Sequence, residues 1–296
     1  MNKVGSEFAT QPATPDQPEI SEVAKEAPTP EIPEIVAVQE KVGALRALID
    51  GLRDQLSEAQ LEKMQASLSR LQRVAEEQIN NLEYNATHDP LTGLYNRGAF
   101  YEKVSQRLQE PTVHTNNKRT ESAGVMVFID LNNLKKLNDM IGHLPTNEVL
   151  KQFTGLTERL RKSDIAGRLG GDEIVLFLPH ADPELAAKVI GRYIYRMLNK
   201  KPIEVVDEHG KRVVVPVTCA VGVEAIPKDR VAAGMTIEEA EKLVEELITA
   251  AHMREKQAKI ASQHTSIAVA YPGKDGEDIV VNEGELLNPA SDSSKK

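Results

Sequence analysis

The chain has 296 residues, 40% hydrophobic and 27% charged, a composition that excludes a wholly disordered or collagen-like protein. Thirty-six basic against 45 acidic residues give a net charge of −9, which speaks against a DNA-binding protein held by phosphate neutralisation. The ends hold most of that charge: residues 1–34 carry two lysines and seven acids, and residues 272–296 three lysines and six acids, so the body is close to neutral. A single cysteine, Cys219, excludes an internal disulfide, and its apolar neighbours read as a buried strand. Apolar runs such as Val125 to Ile129 fall far short of the roughly 18 residues a membrane helix needs, and no basic and apolar leader opens the chain. The expectation is a cytoplasmic protein without membrane insertion.

Residues 1–34 hold six of the sixteen prolines and little periodic apolar content, the mark of a disordered arm. From Ile35 the pattern changes. Ile35, Val38, Val42, Leu45, Ile49, Leu52 and Leu56 recur at spacings of three and four, as on a coiled-coil seam. A second seam, Leu61, Met64, Leu68, Leu71, Ala75 and Leu82, is out of phase with the first, so residues 57–60 mark a stutter or a turn between two helices. Segment 35–86 is expected to be helical and to dimerise; the alternative is two helices packed on the chain's own globular domain.

Residues 87–271 read as a mixed domain, followed by an acidic flexible tail at 272–296. A polar loop, 111–124, precedes a buried strand at Val125 to Asp130, and helical text runs from Asn132 to about Arg161. Two short strands, Ala166 to Leu169 and Val175 to Leu178, flank Gly170-Gly171-Asp172-Glu173. A helix at Pro183 to Asn199 has a proline and an acid in its first turn. Ile203 to Val206 and Arg212 to Val223 bracket the hairpin signal Asp207-Glu208-His209-Gly210, and Thr236-Ile237-Glu238-Glu239 is a capping box opening a last helix to about Ser262. Strands alternating with helices and hairpins predict an α/β fold, a mixed sheet covered by helices.

The chemistry concentrates at Gly170 to Glu173. Two glycines let a backbone approach a ligand closely, and adjacent carboxylates on a tight turn repel one another unless a cation stands between them. Asp130, at the end of a buried strand, is a second carboxylate source. Together these acids offer the oxygen donors that Mg²⁺ takes, whereas the bland reading is a solvated hairpin tip. The seven histidines form no HExxH or clustered ligand set, and no Ser-His-Asp order, P-loop or dinucleotide fingerprint occurs.

Four stretches in this order, Asp89-Pro90-Leu91-Thr92-Gly93-Leu94-Tyr95-Asn96-Arg97, Phe128-Ile129-Asp130, Leu137-Asn138-Asp139 with Gly142-His143, and Arg168-Leu169-Gly170-Gly171-Asp172-Glu173-Ile174, resemble the GGDEF family of diguanylate cyclases. The resemblance spans about residues 86–271. It implies a palm-like sheet like that of nucleotide cyclases, and a homodimer in which two GTP molecules, one per subunit, are joined as cyclic di-GMP with release of pyrophosphate. It further implies that Asp130, the Leu131 carbonyl and Glu173 hold Mg²⁺ (or Mn²⁺), with Asp172 assisting as ligand or proton acceptor. Gly170 and Gly171 would approach ribose and phosphate, Lys135 and the amides of Asn133 and Leu134 would contact phosphate, and Asn138 would contact the base. Lys256 and Lys259 are both candidates for the lysine that the family carries near the end of its last helix.

Three departures stand out. Family members follow Gly-His with two variable residues and then Gly-Asp, whose Asp binds guanine; here those positions are Thr146 and Asn147. An amide has one acceptor oxygen and one donor nitrogen, so Asn147 meets only part of guanine's edge, a mismatch costing on the order of 1–3 kcal/mol, and it suits adenine as well. Relaxed purine choice, with ATP beside GTP, is therefore an expectation, and Thr146 adds a branched side chain that crowds the base pocket or moves the helix start. Ile174 for the signature's last Phe keeps an apolar core residue.

Arg161 and Asp164 form an RxxD pattern six residues before Gly170, where family members place an inhibitory site for cyclic di-GMP, and Arg192 fits a third contact. A guanidinium binds phosphate bidentately and stacks on guanine, whereas the bland reading is a helix-end ion pair. Beside the cyclase reading stand a catalytically weak domain that senses cyclic di-GMP or GTP, and a coiled-coil scaffold with a structural globular domain. The upstream signalling partner is not legible.

Overall fold

A computed structural model of the chain describes residues 33–110, 122–200, 203–231, 234–262, 265–273 and 275–287. The expected Pro-rich arm up to residue 32, loop positions 111–121 and tail positions 288–296 lie outside the described residues. The described residues divide into two units, one up to residue 80 and one from residue 81 onward. Among the described residues no helix is long and apolar enough to cross a membrane.

The first unit holds α1 (Pro33–Gly51) and most of α2 (Glu58–Thr87), separated by a 3₁₀ turn at Arg53–Gln55. Of the two readings of residues 57–60, a break between helices is the one found. Leu56 is extended (φ −110°, ψ 145°), and Gln60 Oε1 accepts from the Ser57 amide at 3.1 Å and its hydroxyl at 2.7 Å, half of a capping box that restarts the helix. That restart puts the two apolar seams out of phase; Leu45 and Leu71 of this unit are exposed, as is Leu82 further along α2.

In the second unit, α3 (Arg97–Gln109) leads to the central strand β1 (Ser122–Leu131), followed by α4 (Leu134–Ile141) and α5 (His143–Thr154). The strands β2 (Ile165–Gly170) and β3 (Glu173–Pro179) precede α6 (Pro183–Lys200), and a two-stranded sheet of β4 (Ile203–Val206) and β5 (Arg212–Val215) precedes β6 (Cys219–Pro227). Last come α7 (Ile237–Ala261), β7 (Ile267–Pro272), β8 (Asp278–Asn282) and α8 (Glu283–Leu287). The main sheet runs β2-β3-β1-β6-β7-β8, antiparallel throughout except for the parallel β6–β7 pair.

Strand periodicity builds two apolar layers. Val125, Val127, Ile129 and Leu131 of β1 face a core shared with α5 and α6, while Ala123, Met126 and Phe128 face one shared with α3 and α7. Both faces of β1 are covered, as the unbroken apolar text predicts, and Cys219 is buried as expected.

Three expectations need correction. The helical text expected from Asn132 to about Arg161 resolves into two helices and a 3₁₀ turn (Gly155–Arg159), because Gly142, at φ +90°, turns the chain between α4 and α5. The strand expected from Arg212 to Val223 is divided between two sheets around Pro216, which has no amide to donate to a ladder. The flexible tail does not begin at 272. Residues 278–287 form β8 and α8, fastened by Arg254 to Asp278 (2.8 Å), by Glu283 to the Ser266 amide (3.0 Å) and by Leu286, which is buried.

Candidate functional site

β1 carries Asp130 to the sheet end, and the β1–β3 register places it directly opposite Glu173, the first residue after the β2–β3 turn. Gly170 (φ +155°) ends β2 opposite Glu173, and Gly171 (φ +52°) with Asp172 makes that turn. Opposed residues of an antiparallel pair lie about 5 Å apart, so two acidic residues stand side by side at this end of the sheet, with Asp172 next in the chain. Burial, with the charge of Asp130 next, pushes the Asp172 carboxyl above its ordinary range.

The cation comes from α7. Gly222 of β6 has the Ala251 carbonyl and the Glu255 amide where a side chain would stand, so α7 lies tightly on the sheet. Near the helix end Lys259 Nζ reaches Asp130 Oδ1 at 2.5 Å. Burial works to lower the lysine's pKa, but the bond to Asp130 and the surrounding acids outweigh it and raise it. Of the two lysines expected here, Lys259 meets the carboxylates, while Lys256, also on α7, is exposed.

Sequence reasoning missed Glu255. Its side chain is 2% exposed, stands 3.9 Å from Lys259 Nζ, and has its pKa pushed up to about 7 by burial and then by Asp130. His252, one turn before, stacks on Phe128 at 4.5 Å, and burial holds its imidazole below the usual value. The closing network was missed too: Asn132 Nδ2 donates to the Thr218 and Ser262 hydroxyls, each at 3.1 Å. An acid in an amphipathic helix reads as solvated, and the available signal was Gly222, which marks a close approach.

Asn133 adopts the left-handed conformation (φ +64°) at the start of α4 without a side-chain cap, which leaves the amides of the first turn, Leu134 and Lys135 among them, open to a ligand. An open cavity of about 910 Å³ borders this turn and is lined by Asn132, Asn133, Lys259, Ser262 and Thr218. Asn138 sits on α4 and Asn147, exposed, on α5, either side of Gly142. Thr146 points inward, 2% exposed, with its hydroxyl donating to the Gly142 carbonyl at 2.8 Å, and the helix starts at His143.

A half-buried tie anchors the hairpin. Arg168 Nη1 lies 2.9 Å from both carboxylate oxygens of Asp89, and Nε and Nη2 donate to the Gly171 carbonyl at 3.0 and 2.7 Å. Burial pushes the Asp89 carboxyl up, yet bonds from Thr92 and Arg168 prevail and hold it below the usual range.

Arg161 and Asp164 form a turn, the Arg161 amide donating to Asp164 Oδ2 at 2.8 Å. Arg192 Nε donates to the Leu286 carbonyl of α8 at 2.5 Å, a partner the sequence reading did not foresee.

Among the described residues no three acid, histidine or cysteine side chains form a ready metal cluster. The register sets Asp130 opposite Glu173, with Leu131 next in the strand, and two carboxylates with a carbonyl are the donor types of a hard cation that completes its shell with substrate oxygens and water.

A family model, the diguanylate cyclase GGDEF domain, matches residues 86–261. The chain is 38% identical over 117 residues to probable diguanylate cyclase DgcE of Escherichia coli, which covers 39% of this chain and 10% of that protein. It is 28% identical over 202 residues to diguanylate cyclase DgcP of Pseudomonas aeruginosa, covering 64% of this chain and 28% of that one. The chain thus spans less than a third of the length of these two relatives. In fold it is similar to the coiled coil and GGDEF domain of DgcB from Caulobacter crescentus, solved in complex with c-di-GMP, with a TM-score of 0.51, 18% identity and coverage of 72% of this chain and 98% of that one.

Proposed function

The chain belongs to the diguanylate cyclase GGDEF-domain family, and from that premise we propose that it is a nucleotidyl cyclase condensing two GTP into cyclic di-GMP and pyrophosphate. The observation that carries the reading is the register pairing of Asp130 with Glu173 at a sheet end, with Lys259 held against them. Asp130, Glu173 and the Leu131 carbonyl would hold a divalent cation, Mg²⁺ or Mn²⁺. When bound, such a cation supplies charge neutralisation at the α-phosphate during in-line attack by a ribose 3′-hydroxyl.

The chain's own groups do the rest. The α4 amides of Leu134 and Lys135, with Asn133 and the Lys135 side chain, bind phosphate oxygens where the helix start is uncapped. Gly170 and Gly171 let the hairpin approach ribose and phosphate without a side chain in the way. Lys259, released from Asp130, turns to the triphosphate, and Asp172 assists as a further ligand or accepts the hydroxyl proton. Each domain presents one nucleotide, so the reaction needs two copies, and segment 35–86, with Leu45 and Leu71 exposed, supplies apolar contacts for a homodimer. Arg161, Asp164 and Arg192 bind the product and inhibit. Asn147 by itself relaxes purine choice toward ATP.

A second reading, a catalytically weak domain that senses cyclic di-GMP or GTP, is favoured by one observation: Asp130 already has an ammonium partner in Lys259. Incubation with Mg²⁺ and GTP, ATP or both, with products identified by mass spectrometry, separates the two. Cyclic di-GMP from GTP supports the cyclase; no dinucleotide from any mixture, with cyclic di-GMP still bound, supports the sensor.

A further inference from the structure

The base position of the proposed nucleotide site lacks the carboxylate that guanine calls for, since residue 147 is an amide. Guanine offers two adjacent donors, its ring N–H and its amino group, and an acceptor oxygen, so a guanine site wants a carboxylate facing the donors. The small β4–β5 sheet brings one to Gly142, the residue that joins the helices carrying Asn138 and Asn147.

Geometry delivers it. The hairpin lies along α5, with Gln152 Nε2 donating to the Glu204 carbonyl at 3.1 Å. β4 runs on from Glu204 to Val206 before the turn. The hairpin tip lies at the α4–α5 junction, where the Glu208 side chain fills the space that a Cβ on residue 142 would need. The tip is fixed in shape: Asp207 Oδ1 accepts from the His209 and Lys211 amides at 2.9 and 2.8 Å, and the Gly210 amide donates to the Asp207 carbonyl at 2.9 Å. Gly142 is itself tied to α4, its amide donating to the Asn138 carbonyl at 2.9 Å, and Asn147 lies one turn beyond His143 on α5. Among the described residues no hydrogen bond or ion pair holds the Glu208 carboxylate.

We propose that Glu208 is a specificity-determining residue: it supplies from the β4–β5 hairpin the acceptor that Asn147 lacks, so that the site selects guanine over adenine. The proposal rests on the nucleotide-site reading above. Glu208 faces guanine's two donors while Asn138 and Asn147 serve the remaining edge. Adenine would set its unprotonated ring nitrogen against the carboxylate, a repulsion that adds discrimination to the attraction for guanine.

The test uses 3′-deoxy-GTP and 3′-deoxy-ATP, which lack the attacking hydroxyl and so report binding without turnover. Their affinities are measured with Mg²⁺ for the full chain, for Glu208→Gln and for Glu208→Gln combined with Asn147→Asp. The expected result is a guanine preference of about tenfold or more in the unchanged chain. Glu208→Gln should lose most of it through weaker guanine binding, with adenine affinity held within about twofold, and Asn147→Asp should restore it. A carboxylate that served merely to steady the α5 start would alter both affinities alike. Unchanged preference in Glu208→Gln, or no preference in the unchanged chain, would overturn the proposal. A chain that prefers the guanine analogue through Glu208 but makes no dinucleotide from GTP would overturn the cyclase reading and leave this one standing.

Discussion

Arg168 grips Asp89 and the Gly171 carbonyl at the same time, joining the turn after α2 to the hairpin that carries Asp172 and Glu173. The two side chains are 14% and 18% exposed, so most of their charge is out of water and depends on the pairing. The hairpin's aim thus rests on a contact 79 residues distant in sequence.

Arg168→Met should therefore cost about 2 kcal/mol of stability at neutral pH by leaving Asp89 unpaired. Product formation should fall about tenfold or more as the Gly171 turn loosens. The folded Asp89 carboxyl titrates below its ordinary 3.8, so its contribution is present above that pH and is lost as pH falls through the lower, folded value. The stability gap between the variant and the unchanged chain should accordingly close below about pH 4 in denaturant titrations. A gap that persists there would contradict the ion-pair account.

Glu255 gives the opposite sign. Its folded value near 7, against an ordinary 4.5, means the native chain binds more protons between those limits, so stability falls as pH rises from 4.5 to 7 and levels off above. Glu255→Gln should remove that slope and gain about 1–2 kcal/mol at pH 8 in EDTA, less than the full shift implies because Lys259 stands beside it. An unchanged slope would show that Glu255 is not the group responsible.

Lys259→Met strips Asp130 of its counter-charge. Mn²⁺ affinity, followed by electron paramagnetic resonance, should hold or rise because an ammonium no longer competes at Asp130, while dinucleotide formation from GTP should drop about 100-fold for want of a phosphate contact. Loss of Mn²⁺ binding would mean that the lysine organises the carboxylates.

The outline of this site was legible because its first members announce themselves locally. Asp130 closes an apolar strand, and Gly170 to Glu173 form a turn between two others, so strand periodicity alone brought three carboxylates to one sheet end. What escaped depends on close approach between elements remote in sequence. Glu255 reads as a solvated helix acid until Gly222 lets α7 down onto β6, and Asp89 and Arg168 carry no mutual signal. The strands β7 and β8 were missed for a related reason. Six residues at Ile267–Pro272 give little periodicity, and the acids of the next segment read as solvating charge, whereas Arg254 pairs with Asp278 and Ser266 bonds to Glu283. The split helix at Gly142 follows from one positive φ that helical text does not advertise.

Arg161→Ala should leave initial rates from GTP within about twofold and raise the cyclic di-GMP concentration for half-inhibition about tenfold or more, since a charge-assisted phosphate contact is removed. Arg192→Ala should do the same and also loosen α8, whose Leu286 carbonyl it holds, a change visible as faster amide exchange at residues 283–287. Equal inhibition in both variants would place the product elsewhere.

The pairing of Asp130 with Glu173 as the cation-holding end of a cyclase is tested most directly by counting products. With GTP and Mg²⁺ the unchanged chain should release two pyrophosphates for each cyclic di-GMP formed, and Glu173→Gln should form neither above about one hundredth of that rate while remaining folded. Undiminished dinucleotide synthesis by folded Glu173→Gln would contradict the account.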